Sequence, residues 1–277
     1  MSAHAEANLP SKQSSGSRNI VYSIEKAFRV LEAFTERQPE MILADIARRA
    51  GLDNATAFRM LNTLVLLGYV EKVEDRRTFR LSLKCLELGF NAIARSDLRT
   101  VAEPVLHRLV SGGASAASIG ILDKGDVIYI ERVQQSLTRL AVDIRIGTRI
   151  PAFCSAMGRA ILAFMPEKAQ RAELHSRPLE KLTPMTVIDE KKLRARLKET
   201  AERGFTVVNQ ESVVGLIAIA APVFGSDGLP IAAISVAMPS SATSEVEFTR
   251  RFAGSILDAS TTLSRAIKAG GGVAGAL

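Results

Sequence analysis

Residues 43–70 read LADIARRAGLDNATAFRMLNTLVLLGYV, and one glycine inside this run narrows the folds open to it. Apolar residues recur at helical spacing on both sides of Gly51. The run is therefore two helices joined by a turn so tight that it needs a left-handed residue, a conformation glycine adopts without steric cost. The second helix starts after only a few residues, with Asp53 or Asn54 as its cap. Ala57, Leu61, Leu64 and Gly68 fall at four-three-four spacing and mark its buried face, while Ala47 is small enough for the two helices to cross closely. The opposite face carries Asn54, Thr56, Arg59, Asn62 and Thr63, where a merely solvated helix would carry Lys and Glu. In a major groove Arg can make two bonds to guanine, Asn two to adenine, and Thr can meet a thymine methyl or a phosphate. The start of the helix can also offer N–H groups to phosphate.

The flanking segments complete the arrangement. SIEKAFRVLEAFTE (23–36) predicts a helix with Ile24, Ala27, Phe28, Leu31 and Phe34 on one face and Ser23 as its cap. GYVEKVEDRRTFRLS (68–82) reads as strand, turn, strand around Glu74–Arg77, although no glycine marks the turn. Short helix, tight turn, helix and hairpin make a winged helix-turn-helix. Its wing would bring Arg76, Arg77 and Arg80 to an adjoining backbone or minor groove. The competing reading is a helix of a bundle with an ordinary wet face; the attached hairpin favours DNA. Charge adds little here. The chain carries a net +7, but residues 1–83 hold 12 Lys and Arg against 10 Asp and Glu, so the excess lies elsewhere.

Beyond residue 82 the texture changes. Leu83, Leu86, Phe90, Ile93, Val101, Val105 and Leu109 form one apolar stripe, predicting a single connecting helix over 83–111 that ends in SGGAS. Strands follow in ASIGIL, VIYIERV and RLAVDI, and in GLIAIAAPVF and PIAAISVAM around the turn GSDG. Helices are expected at about 155–165, 189–203 and 243–268. The fold class is α+β: a winged helix-turn-helix domain over 20–82, the connecting helix over 83–111, and an α/β sensor domain over 112–268, with tails at 1–19 and 269–277. Two cysteines and three scattered histidines among 277 residues argue against a disulfide framework or a metal cluster, and no cofactor is expected. The N-terminal stretch lacks the apolar segment of a signal peptide and no apolar run approaches the ~20 residues that span a bilayer, so a cytoplasmic protein is expected.

Within the sensor, IPAFCSAMGRAIL runs from a strand or loop into a helix, with Ser155 and Ala156 at its start and Gly158 in its first turn. Unused N–H groups there could hold an anion such as a carboxylate. Arg159 could reach such a ligand or pair with an acid. Cys154 beside that helix start could be a nucleophile or a redox sensor, but no acid–base set accompanies it, which favours an inert buried thiol.

LADIARRAGLDNATAFRMLNTLVLLGYV with FRLSLKCLELG resembles the N-terminal domain of the IclR family of bacterial transcriptional regulators. GTRIPAFCSAMGRAILAFM, ERGFTVV, GLIAIAAPVF and AAISVA are similar, in order and spacing, to that family's effector domain, and PAFCSAMGR resembles the branch that controls breakdown of aromatic acids through protocatechuate and β-ketoadipate. The resemblance implies a GAF-like effector domain whose cavity holds the acid group of a small ligand at the 154–157 loop, double-stranded operator DNA as partner, and a dimer or dimer of dimers. It places the effector against Cys154, Ser155, Ala156 and Met157 on the loop, Val208 and Ala218 near GLIAIAAP, and Ser235 with Ala237 beyond it. Val208, Ala218 and Ala237 are apolar where members binding small polar acids use polar side chains, so an effector with an apolar body, such as an aromatic acid, is expected. The alternatives are an enzyme using Cys154 with an N-terminal assembly module, and a DNA binder without effector.

Overall fold

The computed structural model describes residues 20–35, 37–73, 76–93, 98–135 and 144–270, the side chains of 90–93 excepted. Residues 1–19, all but the first two of 269–277, the hairpin tip at Glu74 and Asp75, and most of RLAVDI lie outside the described residues. The chain divides into two compact units, Met1–Ala92 and Ile93–Leu277.

In the first unit the order is α1 (Tyr22–Glu32), β1 (Glu40–Ile42), α2 (Leu43–Ala50), α3 (Asn54–Leu66), β2 (Val70–Val73), β3 (Thr78–Leu81) and α4 (Lys84–Ile93). Its antiparallel sheet has the order β1-β3-β2. Val30, Phe34, Met41, Ile46, Leu61, Leu64, Val70 and Phe79 fill the core between helices and sheet. The sequence reading of α1 is corrected in two respects. The helix is capped by Val21, two residues before Ser23, and without a side-chain bond. Its buried side centres on Val30, followed by Ala33 and Phe34, while Ile24 and Phe28 stay more than half exposed. Only the end of this three-turn helix reaches the core, so Ile24 and Phe28 remain uncovered among the described residues.

The second unit runs α5 (Leu98–Ser111), β4 (Ala116–Asp123), β5 (Asp126–Gln134), β6 (Arg149–Pro151), a 3-10 turn (Ala152–Cys154), α6 (Ala156–Leu162), α7 (Glu167–Leu174), α8 (Glu190–Arg203), β7 (Thr206–Asn209), β8 (Leu216–Phe224), β9 (Pro230–Pro239) and α9 (Glu245–Ala269). The strands form one antiparallel sheet in the order β6-β5-β4-β9-β8-β7. Side chains alternate across a strand, and here the alternation separates two kinds of residue. Ile119, Ile217, Ile219, Ile234 and Val236 go to the face covered by α5 and α9, against Leu106, Leu109, Phe248, Phe252 and Ile256. Their neighbours Ser118, Gly120, Ala218, Ala220, Ala233, Ser235 and Ala237 go to the other face, where α6 lies.

Of the connecting helix expected over 83–111, the described residues form α4 in the first unit and α5 in the second, and residues 94–97 lie outside the described residues. Leu98, Val105 and Leu109 of α5 are buried against the sheet, whereas Leu83 and Leu86, at the start of α4, are largely exposed. One apolar period therefore serves two different surfaces, which is why spacing alone joins them.

Small residues set how closely α6 can approach. A Cβ on Gly158 would stand 2.3 Å from Ala152 Cα and from its carbonyl oxygen, and neither backbone atom can move aside cheaply. Gly158→Ala is therefore expected to destabilise the sensor unit by about 1–3 kcal/mol, as overpacking does, and to lower Tm by several degrees. Thermal unfolding with an unchanged midpoint would show that the α6 start tolerates displacement.

Candidate functional site

The turn between α2 and α3 is built as its glycine requires. Gly51 sits at φ +62 and Leu52 N donates to Ala47 O at 2.9 Å. Arg29 of α1 donates to Gly51 O at 3.1 Å, and a Cβ there would meet its guanidinium at 2.5 Å. Asp53 is the cap: its Oδ1 accepts from Thr56 N at 2.8 Å, and that bond holds its carboxyl below the usual carboxylate range. Ala57, Leu61 and Leu64 are buried, and Asn54, Arg59, Asn62 and Thr63 are exposed on the other side, with Thr56 half-buried at its margin. Thr63 Oγ1 donates back to Arg59 O at 3.0 Å. Phe58, not selected from the sequence, is 48% exposed on the same face, between Asn54 and Asn62. An apolar residue there breaks the inside–outside rule; its chemistry suits a thymine methyl.

In the wing, Arg77 takes φ +52, so a non-glycine residue supplies the left-handed position that the sequence left unexplained. Arg76 and Arg77 are exposed at the turn. Arg80 differs: its cross-strand neighbour Glu71 accepts from its Nε at 2.9 Å and pairs with Nη2 at 2.8 Å, which reduces the charge it could offer a phosphate.

In the second unit the seven sequence-selected residues meet on the α6 side of the sheet. Cys154, Ala156, Met157 and Val208 belong to one buried cluster with Ala220 and Ala233, and Ala218 packs against it. Val208 pairs with Ala218, Ala218 with Ala237, and Ser235 with Ala220. Ser155 is the cap of α6, its Oγ accepting from Gly158 N at 3.1 Å. Met157 lies over Gly120, where an added Cβ would meet its Cε at 3.2 Å.

These two units match known proteins over most of their length. Residues 23–74 match the IclR helix-turn-helix domain, and residues 90–265 match the bacterial transcriptional regulator IclR C-terminal domain. The Pca regulon regulatory protein of Pseudomonas putida is 32% identical over 90% of this chain and 84% of its own. The Escherichia coli regulator XynR is 30% identical over 90% of this chain and 98% of its own. Among solved structures, a transcriptional regulator from Rhodococcus sp. RHA1 superposes with a TM-score of 0.78 at 33% identity, covering 89% of this chain and 98% of its own. An IclR homologue from Microbacterium hydrocarbonoxydans, solved with 4-hydroxybenzoate, does so at 0.78 and 26%, covering 89% and 99%. The chain belongs to the IclR family of bacterial transcriptional regulators.

In this IclR-family regulator Arg159 pairs with an acid. It is almost fully buried, its Nη1 and Nη2 donate to Glu211 Oε1 and Oε2 at 2.7 and 2.5 Å, and its Nε donates to Phe153 O at 2.8 Å. Glu211 Oε2 also accepts from Val187 N, and its carbonyl accepts from Thr186 Oγ1 at 2.6 Å. Cys154 is buried beside this pair, its Sγ turned to Pro151 O, and burial pushes its thiol up to about 12, the reverse of what a nucleophile needs. No helix of the described residues is long and apolar enough to cross a membrane.

The sequence reading missed Ser118, Tyr129 and Arg132, which share the α6 face. A register shift at Ile119/Gly120 pairs Ile119 with Glu131 but Gly120 with Tyr129, so Ile130 is an extra residue. Tyr129 and Arg132 thereby reach one side, where strict alternation in YIERV would separate them.

A buried pair that loses one member leaves an uncompensated charge. Arg159→Met is therefore expected to cost about 3–5 kcal/mol in urea unfolding, and Arg159→Met combined with Glu211→Met clearly less than the sum of the single changes. Additive losses would show that the two side chains do not depend on each other.

Proposed function

We propose that this regulator is a cytoplasmic homodimer that senses a small aromatic carboxylic acid on the α6 face of its sensor sheet, and that it is not an enzyme. The observation that carries the ligand class is the composition of that face. Ala218, Ala220, Ala233 and Ala237 make that face shallow and apolar, with Val208 at one edge and Met157 packed in the same cluster, a composition that suits a flat ring. The names of relatives support the reading: the Pca regulon protein of Pseudomonas putida, a Pca operon regulatory protein of Acinetobacter baylyi at 27% identity, and the Microbacterium homologue solved with 4-hydroxybenzoate. The burial and protonation of Cys154 speak against thiol catalysis.

On the DNA side, Asn54, Thr56, Arg59, Asn62, Thr63 and the added Phe58 read base edges, while Arg76, Arg77 and, less strongly, Arg80 meet phosphates. A second copy is supported by the apolar surface left open on the first unit, where Ile24, Phe28, Leu83 and Leu86 are each more than half exposed.

Arg59→Ala is expected to cost about 1–3 kcal/mol on the operator and much less on random DNA, whereas Arg77→Ala weakens both and flattens the salt dependence. Footprints should show two half-sites a whole number of DNA turns apart; a single protected half-site would indicate monomeric readers, and equal losses on both DNAs for Arg59→Ala would refute base readout. Saturating 4-hydroxybenzoate is expected to change operator affinity by about 5- to 150-fold. If a panel of benzoates changes neither operator affinity nor Tm, the aromatic-acid assignment fails.

A further inference from the structure

We infer that Phe58 selects thymine at one position in each operator half-site, by closing its ring on the C5-methyl group in the major groove. The assignment rests on the reading that the exposed face of α3 contacts base edges, and it names the base that one side chain of that face requires.

The core does not use Phe58. The buried side of α3 is closed by Ala57, Leu61 and Leu64, none more than 4% exposed, while Phe58 remains 48% exposed. Single apolar residues are ordinary on protein surfaces, but this one stands among groups that leave it no way to stay wet once DNA is bound. Asn54 lies one turn before it, Asn62 one turn after it and Arg59 beside it, all exposed. A helical side chain leans over the turn N-terminal to its own Cα. The ring is thereby aimed at the start of α3, the end of a recognition helix that meets base edges. Ala55, three residues earlier and also exposed, is too short to cover it. The exposed Leu66 and Leu67 stand more than two turns further on, about 12 Å along the axis, so the polar groups around Phe58 separate it from them.

When Asn54, Arg59 and Asn62 bond to base edges, the ring between them is carried against the same bases and loses its water. The edges it meets there are not equivalent. Guanine presents acceptors, adenine an acceptor and a donor, cytosine a donor, and thymine alone adds an apolar group, its C5-methyl. A ring laid on a donor or acceptor desolvates that group without bonding it, which is penalised. A ring laid on the methyl group buries further apolar surface instead. Thymine is therefore the base against which this side chain is buried at least polar cost. One buried methyl is worth about fourfold in affinity, and a duplex with one such thymine in each half-site carries that factor twice, about 16-fold.

Binding of the full chain to a duplex recovered by selection from random DNA tests the assignment. Each thymine is replaced in turn by uracil, which removes the methyl group and leaves the pairing edge intact. With wild-type protein, one uracil position in each half-site should lower affinity about 3- to 5-fold. In Phe58→Ala that loss should vanish, while any effect of uracil elsewhere stays and the oligomeric state and Tm are unchanged. Should Phe58→Ala fail to fold, Phe58→Gln, similar in reach but polar, carries the same expectation. Uracil tolerated by wild-type protein at every position, a loss that persists when Phe58 is replaced, or a change of oligomeric state in the variant would overturn Phe58 while leaving base readout by Arg59 and Asn62 intact. A selection that recovers no preferred duplex would overturn the base-reading face and this assignment with it.

Discussion

A guanidinium buried as deeply as that of Arg159 is tolerable only if a carboxylate and further acceptors reach it, and the sensor unit is organised to bring them there. Glu211 arrives from the segment after β7, the Phe153 carbonyl from the turn before α6, and the Glu211 carboxylate in turn fixes Val187. Thr183 and Thr186 donate to the carbonyls of Gln210 and Glu211, and Gln210 accepts a left-handed backbone to allow it. Three segments far apart in sequence are locked to one side chain, and among them is the loop that carries Cys154, Ser155 and Ala156. The pair's net contribution to stability is modest because both charges were desolvated; what it adds is a single arrangement of the walls.

With the walls fixed, the floor is set by the division of residues between the two sheet faces. Branched side chains go to α5 and α9, where bulk fills a helix–sheet interface, and Ala, Ser and Gly go under α6, where bulk would hold the helix off the sheet. The extra residue in β5 then gives this strand two duties. Arg132 turns to the α6 face, while Glu131 turns to the other, where it pairs with Arg99 in the first turn of α5 and accepts from Arg132 N at 2.9 Å. A strand held this way cannot shift on one face without loading the ion pair on the other, and α5 is the first helix of the unit.

What the sequence disclosed follows from how local each cause is. Gly51, the Asp53 cap and the Ala57, Leu61, Leu64 face were legible because turn, cap and helical period are written within a few residues. Family resemblance carried Met157, Val208, Ala218 and Ser235, which no local pattern distinguishes from core. β1 was missed because three residues show no period, and Ile24 and Phe28 were placed inside because spacing reveals a face but not whether anything covers it. Glu211 stands 52 residues from Arg159, so their pairing exists only in the folded chain. Arg132 was hidden by one extra residue in a strand, since a shift by one moves a side chain to the opposite face.

The reader unit must work with little net charge. Glu71 neutralises Arg80, Asp45 pairs with Arg48, and Asp53 sets a carboxylate at the start of α3, where a phosphate would otherwise be drawn. Each phosphate neutralised contributes a counterion-release increment to affinity, so a cation held by a carboxylate, as Arg48 and Arg80 are, contributes less of it. Under the proposed function, specific affinity would come from base contacts on the face of Arg59 and Asn62 and from joining two such faces, which would turn the second engagement into an intramolecular event. The exposed leucines beside α4 and the exposed first turns of α1 are what such joining would cover. In the proposed dimer, the pairing that covers this apolar surface would also be the pairing that joins two base-reading faces.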